Sequence, residues 1–180
     1  MRIVETSVAG AYLIDADTFP DARGQFVRAW VAAELSTHGL DTHIEQCGLA
    51  TNRRRGTIRG MHFQTTPHDA AKTARVTRGA VFDVAIDLRP DSSTFRRWFG
   101  VELTDRSYRS LYIPAGCAHG YQTLVDDAEV LYFTAARYAP AHQGGVRWDD
   151  PTFGIEWPLG PPTIINDRDR TYPDFVSPDR

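Results

Sequence analysis

The chain has 180 residues, of which 42% are hydrophobic and 24% charged, and its formal net charge is −3. This length suits one domain, residues 1–180, that buries a substantial core. The charge excludes a global basic field for nucleic acid, and no apolar run approaches the roughly 18 residues of a membrane span. Cys47 and Cys117 form no CxxC pair, which favours reduced thiols in a cytoplasmic protein over a zinc or disulfide framework.

The predicted elements are mostly short strands. Residues 28–38 predict a helix that Gly39 ends, and the Arg53-Arg54-Arg55 run predicts a solvated loop. Residues 80–89 form the clearest strand. Its alternation places Phe82, Val84 and Ile86 on one face and Val81, Asp83, Ala85 and Asp87 on the other, the lumen side if the sheet closes as a barrel. Further strands are predicted at 98–104, 110–114, 120–125 and 128–135.

The remainder of the chain supports an all-β fold with a few short helices. From Trp148 onward the tail contains six prolines, which predicts an extended segment wrapped over the domain. Many short strands separated by polar, glycine or proline breaks are typical of a β-sandwich or barrel, not of alternating strands and helices.

Residues 59–64, Arg-Gly-Met-His-Phe-Gln, are the most informative segment for function. The segment alternates like a strand, and Lys72 follows His62 by ten residues. An imidazole beside a fixed cation is the pair that removes a proton next to a carbonyl and stabilises the enolate that results. The pattern therefore favours an enzyme of proton transfer at a carbon acid.

Two segments resemble the signature regions of the cupin superfamily: residues 60–79 and residues 114–119. The resemblance implies a double-stranded β-helix, or jelly-roll, barrel. A metal-binding cupin carries a second histidine where Gln64 stands and a carboxylate in the stretch where Lys72 lies. Since a protonated lysine cannot ligate a cation, the sequence disfavours a metal-dependent cupin.

Longer blocks resemble one family of nucleotide-sugar epimerases, the dTDP-4-dehydrorhamnose 3,5-epimerases. They follow in family order over nearly the whole chain: 21–26, 56–64, 79–89, 112–114, 118–121, 148–151, 155–158 and 167–169, together with Lys72, Tyr132 and Tyr138. The resemblance implies a carbohydrate epimerase acting at C3 and C5 of a nucleotide-linked 4-keto-6-deoxyhexose, in deoxysugar or rhamnose biosynthesis, with neither metal nor cofactor.

The resemblance also implies catalytic roles. His62 would be the base, and Asp169 from the tail would orient it and stabilise its protonated form. Lys72 would direct its charge at the 4-keto oxygen, and Tyr132 would return a proton to the opposite face of the sugar. Asp169 has a structural alternative, a salt bridge to a nearby arginine, and Asp167 is a substitute for it in the same motif.

The implied substrate is a nucleotide-diphosphate sugar. Arginine suits a diphosphate because its planar fork matches phosphate oxygens. The binding residues that the resemblance implies are Arg23, Phe26, Gln46, Arg59, His119 and Tyr138, with Arg23 and Phe26 in a segment that crosses to the partner of a homodimer. Packing roles stay open for Phe26, Tyr138 and His119.

The chain also departs from the family. Many members carry asparagine and serine where Gly48 and Ala50 stand. Losing two polar side chains leaves open which nucleotide is bound and whether one or both centres are inverted. The alternatives are therefore a single-centre epimerase, a CDP-linked substrate, and a non-catalytic cupin that binds a sugar nucleotide.

Overall fold

The structure is a computed structural model that describes residues 1–176. The elements in chain order are β1 (Arg2–Glu5), β2 (Tyr12–Asp15), β3 (Asp17–Asp21), β4 (Gly24–Arg28), α1 (Ala32–Ser36), β5 (Gln46–Asn52), β6 (Ile58–Gln64), β7 (Lys72–Arg78), β8 (Ala80–Asp87), β9 (Trp98–Thr104), β10 (Arg109–Ile113), β11 (Cys117–Thr123), β12 (Ala128–Thr134), a 3-10 turn (Pro140–His142), β13 (Gln143–Gly145) and α2 (Asp167–Arg170). The all-β prediction is confirmed, and the strands predicted from residue 80 onward match β8 to β12 within a few residues.

Most strands belong to two facing antiparallel sheets. Sheet A has six strands in the order β1-β2-β10-β7-β12-β5, and sheet B has five in the order β13-β6-β11-β8-β9. Strands β3 and β4 form a separate hairpin. Because neighbours in each sheet are rarely neighbours in sequence, residues far apart in the chain meet between the sheets.

Strand β8 shows why the sequence requires this arrangement. Val81 and Ala85 pack in the core between the sheets, whereas Val84 and Ile86 pack against the opposite face of sheet B. Both faces of the strand are thus buried, which explains its nearly continuous apolar sequence. The predicted division of its two faces is confirmed.

The core between the sheets fills one end of the barrel and leaves the other end open. Its members are aliphatic residues from both sheets, among them Val76, Val81, Leu103, Leu111 and Val130. These residues exclude water from the closed end. The open end is lined by the polar residues described below.

The tail covers the outer face of sheet B, as the sequence predicted. Phe153, Trp157 and Ile165 pack against that face. Gln122, which is fully buried, accepts a hydrogen bond from the Leu159 amide (3.0 Å) and donates one to the Gly160 carbonyl (3.0 Å). The tail is thereby fixed by apolar packing and by paired polar groups.

The helix prediction for residues 28–38 is correct only in its centre. Arg28 ends β4 instead, where it donates a hydrogen bond to Asp17 across the hairpin (2.9 Å). The helix is anchored by Leu35, which is fully buried, and Gly39 follows it with a φ of 75°. In the region 1–176, no helix combines the length and the hydrophobicity required to cross a bilayer.

Candidate active site

A cavity of about 410 Å³ opens at the polar end of the barrel. It collects side chains from both sheets and from the tail. Seven of the predicted site residues line it: Gln46, Arg59, His62, Lys72, His119, Tyr132 and Tyr138. They come from β5, β6, β7, β11, β12 and the loop after β12, so folding is what brings them together.

His62 and Asp169 form a hydrogen-bonded pair at the cavity wall. His62 Nε2 lies 2.7 Å from Asp169 Oδ1, and Asp169 Oδ2 accepts the Gly60 amide at 3.1 Å. Asp169 is fully buried, and Asn166 caps its helix by accepting the Asp169 amide at 2.7 Å. The imidazole is therefore fixed by a carboxylate that accepts the Gly60 amide and whose own backbone amide is bound by Asn166.

The pairing also keeps Asp169 ionised. Burial by itself would raise the pKa of this carboxyl group. The hydrogen bond to His62, the charge on that ring and the Gly60 amide outweigh burial and lower the pKa below its ordinary value. The contact expected between the tail and His62 is present, and Asp167, the substitute, is almost fully exposed.

Lys72 and Tyr132 face this pair from the other sheet. Lys72 begins β7 and Tyr132 lies in β12, both in sheet A, whereas His62 lies in sheet B. The Lys72 ammonium lies 5.6 Å from the centroid of the Tyr132 ring. Burial lowers the pKa of Lys72 to about 8, although the negative charge of Asp83 opposes that shift.

His119 is paired with a second carboxylate. It lies directly opposite His62 in the pairing of β11 with β6, and its Nε2 is 2.8 Å from Asp83 Oδ1. Both side chains are buried, and burial lowers the pKa of His119 against the influence of Asp83. The other oxygen of Asp83 has no hydrogen-bond partner among residues 1–176. The lumen-facing position predicted for Asp83 is thus confirmed.

Asp87, on the same face of β8, stabilises the turn that follows the strand. It accepts hydrogen bonds from Arg89 (2.8 Å) and Thr94 (2.7 Å) in the turn that follows the strand. Burial would raise its pKa, but these bonds together with that from Ser92 lower it to about 2.

Three of the residues expected at the nucleotide, Arg59, Gln46 and Tyr138, line the cavity. Arg59 is held in place through its Nε, which donates to Asn52 at 2.7 Å. Gln46 accepts the Tyr138 amide at 3.1 Å, and the Tyr138 hydroxyl donates to Gln143. Tyr138 is 52% exposed, so its ring offers an open face for stacking.

Arg23 and Phe26 lie outside this cavity. They belong to the β3–β4 hairpin, where Arg23 pairs with Asp21 (2.5 Å) and its side chain is 90% exposed. Phe26 is 66% exposed and contacts Phe19, with ring centroids 6.1 Å apart. These two residues therefore do not line the cavity of their own chain.

Two residues that line the cavity and one beside it were not among the predicted site residues. Tyr121 lines the wall, and burial raises its pKa to about 12. Arg168, next to Asp169, lines the mouth and donates to Gln143 at 2.8 Å. Tyr172 packs edge-on against His62, with centroids 6.3 Å apart. Arg168 and Tyr121 had a usable sequence signal, their places inside the 167–169 and 118–121 motifs, whereas Tyr172 lies outside the motifs.

Gln64, which stands where a metal-binding cupin carries histidine, connects two loops. Its side chain donates to the His68 carbonyl at 2.8 Å and accepts the Ala139 amide at 2.7 Å. Among residues 1–176, no three histidine, cysteine, aspartate or glutamate side chains are grouped as metal ligands. The donors at the site suit hydrogen bonding and proton transfer.

Comparison with known proteins shows the family of the chain. The family model for dTDP-4-dehydrorhamnose 3,5-epimerase matches residues 5–177. The epimerase of that name from Mycolicibacterium smegmatis is 41% identical over 179 residues, which are 98% of this chain and 87% of that protein.

Two solved structures show the same fold. The dTDP-4-dehydrorhamnose 3,5-epimerase of Bacillus anthracis, with TDP and PPi bound, has a TM-score of 0.92 at 37% identity and covers 97% of this chain and 99% of its own. ChmJ, a 3'-monoepimerase from Streptomyces bikiniensis in complex with dTDP-quinovose, has a TM-score of 0.87 at 31% identity, with 95% and 86% covered.

The jelly-roll fold of the cupin type and a cavity with an oriented histidine, a cation and a phenol define a carbohydrate epimerase. The chain belongs to the dTDP-4-dehydrorhamnose 3,5-epimerase family.

Proposed function

We propose that this enzyme inverts C3 and C5 of dTDP-4-dehydro-6-deoxy-D-glucose in deoxysugar biosynthesis. The observation that carries the proposal is the placement of proton-transfer groups on two facing sheets. His62 with Asp169 reaches the cavity from sheet B, and Lys72 and Tyr132 reach it from sheet A. A sugar ring held between the sheets has a base on one face and an acid on the other.

The first step is removal of a proton α to the ketone. The C–H bond at C3 or C5 breaks, its proton passes to His62, and the electron pair forms the enolate with negative charge on the C4 oxygen. Asp169 stabilises the imidazolium that forms. Lys72 supplies positive charge in a buried setting, where electrostatic stabilisation of an oxyanion is strongest.

The second step delivers a proton from the opposite face. The Tyr132 O–H bond breaks and a C–H bond forms from the enolate electron pair, so the centre is inverted. A phenol is a weak acid, but the enolate carbon is more basic. Water then restores the proton to the phenolate, and His62 returns its own proton to solvent.

We further propose a homodimer in which Arg23 and Phe26 complete the partner's site. The support is their position: both lie on an exposed hairpin outside their own cavity. Exposed aromatic side chains are typical of interfaces. Arg59, Gln46 and Tyr138 of the chain that forms the cavity would hold the diphosphate and the nucleobase.

We place the enzyme in the cytoplasm, which suits two free thiols.

A single-centre epimerase is the second candidate. Gly48 and Ala50 remove two polar side chains from the wall beside Gln46, and ChmJ, which shares the fold, is a 3'-monoepimerase. These observations bear on how many centres are inverted, and they leave the proton-transfer groups unchanged. The non-catalytic alternative is disfavoured because binding alone requires no acid and base on opposite faces.

Proton NMR of dTDP-4-dehydro-6-deoxy-D-glucose with the enzyme in D₂O tests the proposal. We expect the H3 and H5 signals to disappear and the inverted product to form. His62→Ala removes the base, so exchange is expected to fall by about 100-fold or more. His38→Ala, which changes an exposed histidine outside the cavity, is the matched control.

Loss of one signal alone would establish the single-centre reaction. No exchange at either position would reject this substrate, and the same assay with the CDP-linked sugar would then follow. Exchange at the wild-type rate in His62→Ala would reject His62 as the base.

A further inference from the structure

Asn52 is a buried amide next to Arg59, the arginine that the proposed function places at the diphosphate. It is the last residue of β5, is only 3% exposed, and lies directly opposite Ala128 in the pairing of β5 with β12. Arg59 lies on β6, in the other sheet. The contact between Asn52 and Arg59 therefore joins the two sheets beside the cavity.

The neighbours of this amide permit one orientation. Its Oδ1 accepts a hydrogen bond from Arg59 Nε at 2.7 Å, and its Nδ2 donates to the Ala128 carbonyl at 3.1 Å. Nδ2 also lies 3.3 Å from the Tyr121 hydroxyl. An arginine Nε only donates and a carbonyl only accepts, so exchanging Oδ1 with Nδ2 would leave Arg59 and Ala128 unpaired. The position therefore requires an acceptor and a donor together, which an amide provides.

The guanidinium of Arg59 is held along one side. Nε donates to Asn52, and Nη2 donates to the Thr51 carbonyl at 3.0 Å. These bonds use two of the five N–H donors, both on the side of the planar group that faces β5. The end of the group, formed by Nη1 and Nη2, keeps the paired donors that match two oxygens of one phosphate. Arg59 lines the cavity, where that phosphate would lie.

We propose that Asn52 is a positioning residue that holds Arg59 with the end of its guanidinium directed at the diphosphate of the substrate. This role rests on the proposed function, which assigns a nucleotide-diphosphate sugar to the cavity. Without the amide, only the Thr51 carbonyl holds the guanidinium on this side. The loss is expected in phosphate binding and not in proton transfer, because Asn52 bonds to Arg59 and not to the base or the acid.

NMR titrations with dTDP and with thymidine test the role of Asn52. Asn52→Ala is expected to bind dTDP about tenfold more weakly, the effect of one charge-assisted hydrogen bond. Thymidine has no phosphate, so its affinity is expected to stay within about twofold of wild type. Leu49→Ala, at a 56% exposed side chain of the same strand, is the control and is expected to match wild type for both. A general structural defect would weaken both ligands by the same factor, which would overturn the proposal.

A double-mutant cycle shows whether Asn52 acts through Arg59. In an Arg59→Ala background the positioned group is absent, so Asn52→Ala is expected to add less than about twofold to the loss of dTDP affinity. With saturating substrate, α-proton exchange in Asn52→Ala is expected within about threefold of wild type, so the change appears in KM and not in kcat. Equal losses of dTDP affinity in the two backgrounds would contradict the assignment.

Asn52→Asp provides a second test if Asn52→Ala does not fold. Aspartate has nearly the same shape, but its carboxylate neutralises the Arg59 charge and places an oxygen against the Ala128 carbonyl. We expect dTDP affinity to fall by about tenfold or more, with thymidine again within about twofold. Affinity for dTDP at the wild-type value in Asn52→Asp would overturn the proposal.

Failure of this proposal and failure of the proposed function give different results. If wild type binds dTDP and exchanges α-protons while the Asn52 variants bind dTDP equally well, the role of Asn52 alone is rejected. If wild type binds dTDP but exchanges neither α-proton, the proposed reaction fails and the titrations still decide the role of Asn52. If wild type neither binds dTDP nor exchanges a proton, both fail.

Discussion

Lys72 is the side chain whose chemistry depends most on its surroundings. Burial lowers its pKa to about 8, so its charge changes in mildly alkaline solution. Asp83 lies on the facing sheet, fully buried and with one oxygen unpaired, and its negative charge favours the protonated lysine. Lys72 therefore carries the charge that stabilises the enolate, and Asp83, which contacts no substrate atom in the proposed mechanism, helps to keep Lys72 protonated.

This coupling predicts a pH dependence. A lysine is charged below its pKa, so exchange is expected to fall as pH rises through about 8. One pH unit above the pKa, the loss is expected to be about tenfold. Asp83→Asn removes a charge that raises the pKa of Lys72, so the alkaline limb is expected to move to lower pH. The rate of α-proton exchange between pH 6 and 10 measures both.

The matched variants are Lys72→Arg and Asp91→Asn. A guanidinium keeps its charge throughout this range, so Lys72→Arg is expected to lose the alkaline limb whatever its absolute rate. Asp91 lies in an exposed turn and its change is expected to leave the limb in place. An alkaline limb in Asp83→Asn at or above the wild-type pH would contradict the assignment.

The tail that follows Trp148 connects packing with catalysis. It has little regular structure, yet it brings Asp169 to His62 across 107 residues of sequence. Its position is fixed by Trp157, which packs edge-on against Phe82 (6.2 Å) and donates to the Trp148 carbonyl at 2.9 Å. A segment that looks like a linker is therefore part of the core.

Trp157→Ala is expected to lower the free energy of unfolding by about 3–5 kcal/mol, the usual cost of removing a buried indole. Trp157 is only 8% exposed, so its removal leaves a cavity under the tail. Urea denaturation gives the value. Val176→Ala, at a side chain 83% exposed, is expected to change stability by less than about 0.5 kcal/mol. Similar values for the two variants would show that the tail does not stabilise the barrel.

At the scale of the whole molecule, one hairpin lies outside both large sheets. The β3–β4 hairpin joins neither sheet, although the Gln25 amide donates to the Tyr108 hydroxyl at 2.5 Å and so fixes its direction. It carries Arg23, the one arginine of the predicted site that is absent from the cavity. A second subunit would give this hairpin a function.

Subunit complementation tests that arrangement. Arg23→Ala and His62→Ala are each expected to be inactive or weak as homodimers. Equal amounts of the two variants are unfolded and refolded together, so that about half of the dimers contain one subunit of each. If Arg23 acts in the partner's site, each mixed dimer has one site with both native residues. Activity is then expected to recover to about a quarter of wild type. Recovery would be absent if Arg23 served its own cavity or if the protein were a monomer.

The sequence by itself determined the fold class and predicted most of the residues of the candidate site. Alternation in residues 80–87 fixed the faces of β8, since a strand places successive side chains on opposite sides. Motif order gave His62, Lys72, Tyr132 and Asp169, because each residue type carries the chemistry that the reaction requires. The helix was misplaced at Arg28, where pairing with Asp17 across the hairpin prevails over local helix propensity.

Only the tertiary structure decided which side chains lie next to one another at the cavity. Asp83 reaches His119 and Tyr132 leans over Gly48 because strands distant in sequence are paired or packed face to face, and no local pattern records that register. The same holds for Arg23 and Phe26, which the motif order groups with the site and the fold places outside the cavity of their own chain. Residue types specify what chemistry is available, whereas distances between those residues exist only after the sheets close.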